Sequence, residues 1–139
     1  MYLEVYVFNA PVVTEEQVYD EKTLPDFPPL DILRKKIEDR VPGINWLDTE
    51  TALIDTQDYE GKLIFGIDRK IIYFRIVGGN DPFKVIMDLC RANGWTSYTP
   101  GNELFLDSNL DTVKYWLEYK AYKGIINDVF YKRNSAEID

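Results

Sequence analysis

The chain has 139 residues, enough for a single domain whose core needs neither disulfides nor metal. A hydrophobic share of 45% and an aromatic share of 14% exclude a disordered composition. Twenty-four acidic residues against sixteen basic ones give a net charge of −8, which argues against phosphate backbones and anionic membranes, since both call for clustered Lys and Arg.

Residues 2–8 read as a strand with two apolar faces. Leu3, Val5 and Val7 fall on one, and Tyr2, Tyr6 and Phe8 share the other with Glu4. Such a strand belongs inside a sheet. The first ten residues also lack the basic start of a signal peptide. Residues 9–29 change character: Pro11, Pro25, Pro28 and Pro29 are interspersed with Glu15, Glu16, Asp20 and Glu21. Thr14 and Gln17 have the spacing of a capping box and predict one short helical turn there. A connection of this length is often functional or mobile.

Residues 30–41 carry Leu30, Leu33, Ile37 and Val41 at helical spacing, with Arg34, Lys35, Glu38 and Asp39 on the other side. Pro42 and Gly43 close that helix. Residues 52–77 predict a three-strand meander: one strand near Ala52–Asp55, a second over Lys62–Ile67, a third over Lys70–Val77. A second helix is predicted from Pro82 to about Ala92, capped by Asp81 and stopped by Asn93-Gly94. Phe83, Ile86, Leu89 and Cys90 form its apolar side. Trp95–Thr99 and Glu103–Leu106 then read as a short hairpin. Ser108 and Asp111 open a last helix with Leu110, Val113, Leu117 and Ala121 on its apolar stripe, and a helical pattern continues beyond Gly124.

These elements predict the α+β class: one domain over residues 1–133, a mostly antiparallel sheet with helices packed on one face, and a frayed tail at 134–139. No apolar run approaches the roughly 18 residues of a membrane span, and a lone cysteine implies no oxidising compartment, so the cytoplasm is the expected location.

The chain has no histidine, which removes histidine triads, histidine bases and most zinc sites. Cys90 is expected to be a buried, inert thiol. Gly78-Gly79-Asn80-Asp81-Pro82 precedes a helix but matches no phosphate-binding loop. Asp48, Glu50, Asp55, Asp58 and Glu60 are clustered in sequence around Trp46 and Tyr59. Three readings apply to this cluster: solvated turns, an acidic docking surface, or a carboxylate pair for hydrolysis or a hard cation. The run from Asp55 to Gly61 lacks the regular spacing of a calcium loop, so no metal is expected.

Gly79-Asn80-Asp81-Pro82-Phe83, then Leu89-Cys90-Arg91-Ala92-Asn93-Gly94-Trp95, then Glu103-Leu104-Phe105-Leu106-Asp107 resemble small bacterial proteins encoded beside polymorphic toxins. The resemblance implies an immunity-type protein that binds and blocks a cognate toxin, and it carries over no functional residues. An acidic chain would also be drawn to a basic toxin domain.

The expectation is therefore a non-catalytic, protein-binding domain without a cofactor. Its predicted contact residues are Trp46, Asp48, Glu50, Asp55, Asp58, Tyr59 and Glu60, followed by Glu15, Glu16, Asp20 and Glu21. The alternatives are a structural or adaptor subunit and a carboxylate-based hydrolase.

Overall fold

The computed structural model describes residues 2–107 and 111–120. Within them lies one seven-stranded sheet in the order β2-β3-β4-β5-β1-β6-β7, antiparallel at every pairing. Its strands are β1 (Leu3–Phe8), β2 (Ile44–Trp46), β3 (Thr51–Asp55), β4 (Glu60–Phe65), β5 (Ile71–Gly78), β6 (Thr96–Thr99) and β7 (Leu104–Leu106). The helices are α1 (Glu15–Tyr19), α2 (Leu30–Glu38), α3 (Pro82–Asn93) and α4 (residues 112–120), with a 3-10 turn at Glu21–Thr23. This is the α+β class expected from the sequence.

The meander β3-β4-β5 and the hairpin β6-β7 form as expected, except that β4 runs over Glu60–Phe65 rather than Lys62–Ile67. The amides of Gly66 and Arg69 close the turn after it and leave Ile67 fully exposed there. β1 lies between β5 and β6; Leu3, Val5 and Val7 on one face enter the main core, and Phe8 on the other is buried under residues 9–29. One strand was not predicted. β2 is three residues long and follows Pro42-Gly43, too short for a period of two to register.

The pleat divides the sheet into two faces. Val5, Val7, Ala52, Ile54, Leu63, Phe65, Ile72, Phe74 and Ile76 point to the first, where α2, α3 and α4 cover them. Leu33 and Ile37 come from α2, Phe83, Ile86 and Leu89 from α3, and Trp116 from α4. The α3 boundaries follow their caps. Asp81 accepts the amide of Lys84 at 3.3 Å, and Gly94 adopts the left-handed conformation at φ 69° that a glycine allows without Cβ strain.

Residues 9–29 are an ordered strap across one end of the second face. Phe8, Ile71 and Tyr98 on the sheet bury Ala10, Val13, Val18 and Leu24 from this strap. Thr14 and Gln17 make the expected reciprocal capping box. The far end is clamped to the β4–β5 turn. The amide of Phe27 donates to the Arg69 carbonyl at 2.7 Å, the Arg69 guanidinium donates to the Phe27 carbonyl at 2.8 Å, and Lys70 pairs with Asp26 at 3.1 Å. The prolines make a long connection stiff enough to pack.

The expected stripe of the last helix needs correction. Val113 and Leu117 are 46% and 55% exposed, while Trp116 is buried against Phe83. Trp116 donates from Nε1 to the Gly79 carbonyl at 2.8 Å, and Thr112 donates to Asp81 at 3.0 Å. Those two bonds set the rotation of α4 and turn the aliphatic residues outward. Asp111 itself caps α4 by accepting the Lys114 amide at 3.1 Å. The expectations for Ser108, Leu110, Ala121, the pattern beyond Gly124 and the tail at 134–139 lie outside the described residues. No helix among the described residues is long and apolar enough to cross a membrane.

Candidate functional site

The predicted contact residues separate into three groups. The first is a corner where β2 meets α2. The Trp46 ring is half-buried, lying 5.5 Å from Phe65 and under the Arg34 guanidinium at 4.3 Å. Its Nε1 donates to Glu38 at 2.7 Å. Beside it, Leu47 is 52% exposed, and Asp48 and Glu50 are exposed. Asp48 Oδ1 accepts the amides of Glu50 at 2.8 Å and Thr51 at 2.7 Å, closing the β2–β3 turn. The Glu50 amide, more than any other group, holds the Asp48 carboxyl below its ordinary range, so it is ionised at neutral pH.

The second group sits at the other end of β3. Asp55 and Glu60 are exposed and directly opposite each other across β3 and β4. Asp58 is exposed in the turn between them, and its carbonyl accepts the Asp81 amide at 3.1 Å. Four residue steps of strand, about 13 Å, separate this group from the first.

Tyr59 is a correction to the expected contact set. Its ring is completely buried against Phe74, and its hydroxyl lies 3.2 Å from the carbonyls of both Lys62 and Arg75. It satisfies backbone acceptors beside the register shift at Glu60/Gly61 and presents no surface to a partner. Burial raises its pKa well above the ordinary tyrosine value.

The third group, Glu15, Glu16, Asp20 and Glu21, lies on α1 and the turn after it. It belongs to the strap on the second sheet face and joins neither of the other groups. Glu15 and Glu16 occupy the first turn of α1, where the helix dipole favours negative charge.

The rest of the second face carries no packed element among the described residues. Two concavities of about 470 and 410 Å³ lie on it. The larger is lined by Tyr2, Leu53, Asp55, Glu60, Lys62 and Val77, among others, and Arg75 borders both. Arg75 pairs with Glu4 at 3.3 Å and lies 4.7 Å from the Tyr2 ring centre. Sequence reasoning did not select Arg34, Glu38, Leu53, Lys62, Arg75 or Val77. Alternation along β3, β4 and β5 places four of these opposite the core, but it carries no sign of which face the strap leaves bare.

Cys90 is buried as expected, and burial pushes its thiol up to about 12. Among the described residues, no three Asp, Glu or Cys side chains are arranged to hold a metal ion. The residues that carry the immunity-type resemblance hold up the scaffold. Asp81 and Gly94 cap α3, Trp95 packs edge-on against Phe27 at 5.1 Å, and Leu104–Leu106 is a strand.

Compared with family models, curated proteins and solved structures, the chain matches none.

Proposed function

We propose that the chain is a non-catalytic, protein-binding domain, an immunity-type inhibitor that neutralises a basic toxin domain by occlusion. The observation that carries this reading is the Trp46 corner. A tryptophan is held rigid from three directions by Arg34, Glu38 and Phe65, with Leu47 and two ionised or exposed acids beside it. Trp and Arg are the residue types that dominate binding hot spots, and a ring already fixed loses little rotamer entropy on contact. The net charge of −8 supplies long-range attraction for a basic partner, and Asp48 and Glu50 supply charges at the point of contact. The resemblance over residues 79–107 supports the same class.

The test begins with capture of partners by the tagged chain from its native cell, then calorimetry on any stoichiometric partner over a salt series. A basic partner whose affinity falls with salt, and falls about tenfold or more with Trp46→Ala, is the expected result. Repeated recovery of no basic partner, or a partner indifferent to Trp46→Ala and to reversal of Asp48 and Glu50, would refute it.

A further inference from the structure

The part of the second sheet face that no described element covers has a charge pattern that is complementary to itself. Across the strands run two neighbouring rows. One contains Asp55 and Glu60, which pair directly; the register then shifts so that Glu60 pairs with Gly78, and Val77 and Tyr2 line the same concavity beyond it. The next contains Leu53, Lys62, Arg75 and Glu4, in register. Asp55 and Glu60 oppose each other as like charges, an unfavourable cross-strand pair, and neither forms an ion pair with a described residue. Lys62, one step along the same face of β4 from Glu60, is exposed and also lacks an ion pair among the described residues.

We propose that this face is the interface of a symmetric dimer, its occupant a second copy of the chain. A two-fold axis lying between the two rows, parallel to them and midway between stacked sheets, exchanges one row for the other. Glu60 of each copy then lies over Lys62 of its mate, Val77 over Arg75, and Tyr2 over Glu4. An axis parallel to the strands and lying between β4 and β5 would instead stack Lys62 on Arg75, which repels. Sheets packed face to face stand about 10 Å apart, a gap that two facing side chains fill.

The occupant is a copy rather than a basic partner because two cations, Lys62 and Arg75, hold the middle of the face. Counting Lys62, Arg75, Asp55, Glu60 and Glu4, the patch carries a net charge of −1 within a chain of −8. Copies therefore repel less here than the charge of the whole chain would imply. Val77 and Tyr2, 60% and 44% exposed, supply apolar area. Four strands by six residues span about 400 Å² in plan, roughly half of what each partner contributes to a standard interface. The dimer is accordingly weak and concentration-dependent. It leaves the inhibitor surface free, since Trp46 pairs with Ala52 on the helix-covered face.

Sedimentation equilibrium of the full chain, up to roughly 1 mM, tests the proposal. The expected result is a mass rising from monomer toward dimer, with self-association weakened by salt. Lys62→Glu should weaken it about tenfold or more, and adding Glu60→Lys should restore it, because the exchanged pair remains complementary. Circular dichroism confirms that each variant is folded. A chain that stays monomeric throughout overturns the proposal. So does a dimer unchanged by Lys62→Glu, or a folded double variant that does not regain association. None of these results alters the expectation for the Trp46 corner.

Discussion

The indole Nε1 of Trp46 and the Glu38 carboxylate share a 2.7 Å hydrogen bond that ties the edge strand β2 to the end of α2. With Arg34 over the ring and Phe65 beside it, the bond fixes the most exposed tryptophan region of the surface in a single orientation. Glu38→Ala should cost about 1 kcal/mol in urea unfolding, a typical loss for one hydrogen bond at a solvated site. The larger consequence should be mobility of the ring, read as lower fluorescence anisotropy of Trp46 in a variant with Trp95 and Trp116 replaced by Phe. Unchanged anisotropy would mean that Arg34 and Phe65 suffice to hold it.

The strap depends on its cap. Thr14→Ala removes the acceptor for the Gln17 amide and should destabilise the chain by about 1 kcal/mol. Hydrogen exchange should speed up over residues 14–24 with little change in β5, because the clamp at Phe27 and Arg69 is intact. Uniform acceleration across the sheet would show instead that the strap and sheet open as one unit.

Gly79 and Gly94 both have positive φ, at 116° and 69°, yet their surroundings differ. A Cβ at Gly79 would lie 2.2 Å from the Asp58 carbonyl oxygen, whereas one at Gly94 would meet nothing within 4 Å. Gly94→Ala should therefore cost about 1 kcal/mol, the strain of a left-handed residue. Gly79→Ala should cost about 3 kcal/mol or more, since it also drives the β3–β4 turn away and disturbs the carbonyl that Trp116 uses. Equal losses in denaturant titrations would contradict the close approach.

Cys90 links stability to alkaline pH. Its folded-state thiol is raised to about 12 by burial, while an unfolded cysteine titrates near 8.5. The native state therefore holds a proton that the unfolded state gives up. The stabilisation is complete below the unfolded value and is lost between pH about 9 and about 12, at up to roughly 1.4 kcal/mol per unit. Cys90→Ala should flatten that decline near its lower end. Tyr59, also raised by burial, should extend the decline above pH 10 in both proteins. In the native state at pH 8, the thiol should be inert to a disulfide reagent and should react once the chain is unfolded.

Much of the fold was legible because its signals are local. The period of two in Leu3, Val5 and Val7, the helical spacing of Leu33 and Ile37, and the caps at Thr14, Asp81 and Gly94 depend only on nearby residues. The exposed carboxylates were legible too, since a charge with no partner nearby remains in water. Tyr59 was not: its place was decided by two backbone carbonyls, one of them sixteen residues away. The rotation of α4 was set by bonds to Gly79 and Asp81, 37 and 31 residues earlier, and they overrode the aliphatic stripe that its own spacing suggested.

The amino-acid sequence by itself determined the class of fold, the place of its longer elements to within two or three residues and an acidic composition without histidine chemistry. Only the tertiary structure decided which acids are neighbours, which sheet face the strap covers, and which aromatic is held ready at the surface. Capping and alternation act over a few residues, whereas those relationships join segments brought together by strand order and by burial of a shared core.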